Sequence, residues 1–120
     1  MTYCPIVAGH LATWDWNPGD LTFYLTVIRC ESGGDELANE RNWGTGDMAV
    51  WGLFSHRRRY WEGRSLLALG RPGVIGDTHD DLHVGIWLVE SGHQAWYNAF
   101  DGCAPRIRLE MDKTGVEWHG

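Results

Sequence analysis

The chain has almost no lysine. Of its ten basic residues only Lys113 is one, and the other nine are Arg. Base is scarce as a whole: 10 Lys and Arg stand against 16 Asp and Glu, a formal net charge of −6. That excludes general nucleic-acid binding, which needs a basic face. It favours solubility and suits a basic protein partner. Cysteine is scarce too. Cys4, Cys30 and Cys103 are an odd set with no C-x-x-C spacing, so neither a disulfide framework nor a zinc knuckle is expected. The opening MTYCPIVAGHLATWDW has no basic segment followed by an apolar one, so no secretory leader is expected there. No apolar run approaches a membrane span. These absences predict a cytoplasmic, reducing setting with no membrane contact. Repeats, linkers and low-complexity tracts are also missing, and 120 residues suit one domain over 1–120.

What is abundant is tryptophan, with eight, and glycine, with 16. Each Trp brings a large apolar area and one N–H that needs a partner. The hydrophobic pattern reads mostly as period two. LTFYLTVIRC alternates Leu21, Phe23, Leu25 and Val27 with Thr22, Tyr24, Thr26 and Ile28, and β-branched and aromatic residues dominate it. NPGD before it reads as a turn. MAVWGLFS (48–55) reads as a second strand, with Gly52 marking a bulge or a close backbone approach. LHVGIWLVE and QAWYNAF read as a hairpin turning at Gly92. RIRLEMDKTGVEWH reads as another, with Ile107, Leu109, Met111, Val116 and Trp118 on one face. DELANER (35–41) reads as a short helix. RRRYWEGRSLLALGRPG fits a helix or a hairpin, since Gly70 and Pro72 form a helix stop while Gly63 weakens a helix interior. The expected fold class is therefore mainly β: an antiparallel meander of six to eight strands forming a small barrel or curled sheet, with one or two short helices.

Two segments suggest chemistry. HVGIWL, opened by His83, resembles the histidine strand of NlpC-type cell-wall endopeptidases, which have a papain-like fold. WYNAF then offers Asn98 where that family places the polar residue orienting the histidine, and CAPRIRLE resembles the strand that follows. PGDL (18–21) and RPG (71–73) each resemble a family turn. The resemblance implies a cysteine hydrolase using His83, Asn98 and a thiolate. Cys30 has suitable separation, but it is followed by ESGGDE instead of a small-residue helix start, so the nucleophile is not matched. Separately, THDDLH gathers His79, Asp80, Asp81 and His83, with His93 nearby in sequence, which are residue types that ligate zinc or iron. No third cluster accompanies them, so neither metal nor cofactor is expected.

SHRRRYWEGR concentrates Arg57, Arg58 and Arg59 beside Tyr60 and Trp61, a combination common at binding hot spots. The function expected from the sequence is thus non-enzymatic: a domain recognising a protein partner through that Arg and aromatic surface. The NlpC-type hydrolase, active or degenerate, and a small barrel holding an apolar ligand are the alternatives.

Overall fold

The structure is a computed structural model that describes residues 3–36, 46 and 49–118 of the chain. Among these residues there are six helices: α1 (Cys4–Leu11), α2 (Pro18–Ser32), α3 (Arg58–Leu69), α4 (Thr78–Glu90), α5 (Trp96–Ala99) and α6 (Ala104–Thr114). Between α2 and α3, strands β1 (Val50–Trp51) and β2 (His56–Arg57) pair antiparallel, Val50 opposite Arg57 and Trp51 opposite His56. This two-stranded ribbon is the only sheet among the described residues. The expected barrel or curled sheet of six to eight strands is therefore corrected: the chain is helix-rich, not β-rich.

The reason lies in which side chains are buried. LTFYLTVIRC forms the body of α2, and it buries Asp20, Phe23, Tyr24, Val27 and Ile28, the three- and four-residue rows of a helix face. Its β-branched and hydroxyl residues are accommodated by back-bonding. Thr26 donates to the Thr22 carbonyl at 2.8 Å and Ser32 to that of Ile28 at 3.0 Å. NPGD is the N-terminal cap of α2 and not a free turn. Asn17 Oδ1 accepts from the Asp20 N–H at 3.2 Å, and the Asp20 carboxylate accepts from the Asn17 N–H at 3.0 Å, with Pro18 opening the helix.

The two expected hairpins fail likewise. LHVGIWLVE lies in α4, whose first turn is capped by Asp77 accepting from the Asp80 N–H at 3.0 Å. QAWYNAF supplies the short α5. In α6, Ile107 and Met111 are buried while Leu109 is 57% exposed, which a shared strand face would forbid. The stretch open to either reading is helical, α3, ending at Gly70 in the left-handed region. Among the described residues of MAVWGLFS, Val50–Trp51 alone is strand, and the turn at Gly52 follows it. Most of DELANER, residues 37–41, lies outside the described residues.

The main core joins α1, α2, α4 and α6 around Phe23, Tyr24, Leu82, Ile86 and Ile107, and a smaller cluster of Trp51, Trp61 and Val84 sits under α3. Gly85 lets α4 approach the Phe54 ring, where a Cβ would collide. Cys30 and Cys103 are joined in a disulfide that fastens the end of α2 to the start of α6. No bridge was expected from the cysteine spacing; Cys4 is left as the free thiol. No helix among the described residues is long and apolar enough to cross a membrane.

Candidate active site

Glu31 is the next-to-last residue of α2, and two glycines in left-handed conformation, Gly33 and Gly34, turn the chain away behind it. The disulfide ties the residue before Glu31 to the residue two places after Asp101, so the end of α2 is held beside the 101–103 segment. A cleft of about 220 Å³ opens here, lined by Ser55, Arg57, Tyr60, Arg64, Asn98 and Asp101 among others.

The turn between β1 and β2 brings Ser55 to Glu31. Ser55 donates to the Glu31 backbone carbonyl at 2.9 Å and lies within hydrogen-bond reach of its carboxyl. Ser55 is also the one described non-glycine residue with positive φ, at 52°. Such strain persists only where surroundings impose it, and it concentrates at functional sites. Here the imposing group is Asp81, buried in the first turn of α4. Its Oδ2 accepts from the Leu53 N–H at 2.7 Å, and the buried His56 holds Nε2 2.9 Å from both Oδ1 and the backbone oxygen of Asp81. Gly52, with φ of 79°, is required because a Cβ there would stand 2.5 Å from Asp81 Oδ2. The turn is thus pinned from beneath, and Ser55 is presented to Glu31 in a fixed place.

The electrostatics of Glu31 follow from this placement. Burial pushes its carboxyl above the usual carboxylate range. The Ser55 hydrogen bond works against the rise, Asp101 adds to it, and Arg57 and His56 oppose it. Ser55, His56, Arg57 and Asp101 all line the cleft, and Glu31 itself is not one of its lining residues. A partly desolvated carboxyl with a second carboxylate acting on it keeps its proton to higher pH than a free one, as a general acid requires.

Of the residues singled out from sequence, the structure brings Arg57, Tyr60 and Asn98 to the cleft and places the others elsewhere. Cys30 is bonded to Cys103 and in that state is no thiolate. His83, on α4, places Nδ1 3.1 Å from His10 Nδ1 and its ring 5.5 Å from that of Trp14. Asn98, on α5, lines the cleft. In the Arg and aromatic segment, Arg57 and Tyr60 line the cleft, Arg58 and Arg59 are exposed, and Trp61 is buried against Trp51 with Nε1 donating to the Gly73 carbonyl. The metal-ligand types are dispersed. Asp80 accepts both arms of Arg71 at 2.7 and 2.9 Å, Asp81 serves the turn, His79 faces His10, and His93 packs on Trp87. Among the described residues no group of three or more such side chains is placed to hold a metal ion.

Sequence reasoning missed Glu31, Ser55 and Asp101. The signal for Glu31 was present: an acid beside a cysteine at a helix end, stopped by SGG, is visible once NPGD is read as the cap of that helix. No protein-family model, curated protein or solved structure matches the chain.

Proposed function

We propose that this protein cleaves glycosidic bonds, with Glu31 as the proton donor. The observation that carries the reading is a carboxyl raised chiefly by burial, with Asp101 adding to the rise, on a residue tied through Ser55 to a cleft where amide, guanidinium and phenol groups stand among apolar ones. Those groups suit a hydroxyl-rich ring: Asn98 and Gln94 offer hydrogen bonds, and Tyr60 offers an aromatic face. In the proposed step, Glu31 gives its proton to the bridging oxygen as the bond to the anomeric carbon breaks. Asp101 supplies negative charge to the oxocarbenium-like carbon, and water then adds there, its proton passing to a carboxylate. Ser55 positions Glu31. Its hydroxyl is spent on that residue, so it is not assigned the role of nucleophile.

The Cys30–Cys103 bond supports an oxidising compartment as the working location, in place of the cytoplasmic one expected from composition. One observation favours a second reading, the protein-binding function expected from sequence: Arg59, Tyr60, Leu66 and Leu67 leave the outer side of α3 exposed, Leu67 by 66%.

The test is release of reducing ends from chito-oligosaccharide, hyaluronan and bacterial wall glycan. Wild-type protein is expected to cleave at least one of them, and Glu31→Gln to lower that rate by about 100-fold or more without lowering the thermal midpoint. A Glu31→Gln protein as active as wild type would refute the assignment.

A further inference from the structure

We propose that Arg57 and Arg64 form an anion-binding subsite beside Glu31, and that the sugar seated there carries a carboxylate. The inference deepens the glycan reading and rests on it for the nature of the ligand, but the subsite stands on its own geometry. Tyr60 and Arg64, four residues apart, fall on one stripe of α3, and Arg57 is the extended residue that leads into the helix. All three line the cleft.

Arg64 is half-buried. Its partners among the described residues are Gln94, whose Oε1 accepts at 3.2 Å, and the Tyr60 ring, 4.6 Å away. Neither is an anion, in a chain with six more acidic than basic side chains. Burial, with a smaller contribution from the like charge of Arg57, holds its guanidinium below its ordinary pKa. A bound anion would relieve both effects. Gln94 and the Tyr60 ring meanwhile fix the guanidinium in place, which lowers the cost of binding. A planar, two-pronged carboxylate matches a guanidinium fork. Ser55, which donates to the Glu31 carbonyl, lines the same cleft as Arg57 and Arg64, so the subsite shares that cleft with the residue that positions Glu31.

The experiment is calorimetric titration of the Glu31→Gln chain, which binds without turnover. The probes are neutral chitohexaose, hyaluronan hexasaccharide, and peptide-free bacterial wall glycan bearing muramic-acid carboxylates. At least one carboxylated probe is expected to bind ten-fold or more tighter than chitohexaose. Adding Arg64→Gln is expected to remove that advantage, costing the carboxylated probe ten-fold or more affinity beyond any loss for chitohexaose, and Arg57→Gln to do the same should Arg64→Gln not fold. Equal affinity for all three probes, or an equal loss for neutral and carboxylated probes in the variants, would overturn the subsite. Because binding is read without cleavage, an inactive wild-type protein would count against the glycosidase reading alone.

Discussion

At the scale of single residues, the account turns on a carboxyl kept in an unfavourable place. Glu31 has a raised folded pKa, so its protonated form is the one the fold prefers. The sign follows from linkage. Stability associated with that proton is complete below the ordinary glutamate pKa and is lost as pH rises through the folded value. Glu31→Gln, which is neutral throughout, is therefore expected to raise the thermal midpoint at pH 8 relative to wild type and to leave it little changed at pH 4. A variant that gains nothing at pH 8 would mean the carboxyl is not held out of water. Activity should also fall on the alkaline side as Glu31 loses its proton. Gly52 offers a second check. Gly52→Ala meets both a left-handed φ and the Asp81 carboxylate, and a cost of about 1–3 kcal/mol is expected from denaturant unfolding. A smaller change would show that Asp81 does not pin the turn.

At the scale of elements, α1 and α4 meet through imidazoles. His10 on α1 packs 5.0 Å, centroid to centroid, from His83 and 5.7 Å from His79. Its Nε2 is buried without a hydrogen-bond partner among the described residues. Burial first, and then the two neighbouring rings, push its pKa down to about 4, with Asp80 acting the other way. A folded pKa below the unfolded one makes the unfolded chain the better proton acceptor, so stability falls as pH drops from about 6.5 towards 4. The drop is bounded by about 3 kcal/mol and, after solvent screening of this half-buried ring, is on the order of 1 kcal/mol. Thermal melts across that window should slope downward for wild type and flatten in His10→Gln; parallel curves would contradict the assignment.

The same elements explain what the sequence made legible. The end signals of α2, α3 and α4 were in plain view: Asn17 with Asp20 and then Gly33 for α2, Gly70 as the stop of α3, and Asp77 at the start of α4. The interiors were misleading. A helix buried over a wide face places apolar residues so densely that a period of two fits as well as 3.6, as in Leu21 to Ile28. His83 and Asn98 fitted a hairpin only while α4 and α5 were taken for strands. Asn98 does line the cleft, but Glu31 and Asp101 are joined to it by long-range folding and a 73-residue disulfide loop, which no local pattern encodes.

At the scale of the whole molecule, the Cys30–Cys103 bond does two things. It closes a 73-residue loop, worth roughly 4 kcal/mol on a chain-entropy estimate, and it holds the end of α2, with Glu31, beside Asp101. Reduction, or the paired change to Ser, is expected to lower the thermal midpoint by about 10 °C or more for a domain of this size. Any residual turnover should fall further than the folded fraction does. Turnover that simply tracks the folded fraction would mean the bridge stabilises the fold without shaping the site.

Proton donation by Glu31 to a glycosidic oxygen would be read in the pH profile of reducing-end release from the best-cleaved glycan, for wild type and Glu31→Gln side by side. The account predicts a wild-type rate that falls on the alkaline side above the ordinary glutamate range, and a Glu31→Gln rate reduced by about 100-fold or more with that limb gone. Release that is undiminished in Glu31→Gln, or that keeps the same alkaline limb, would contradict it.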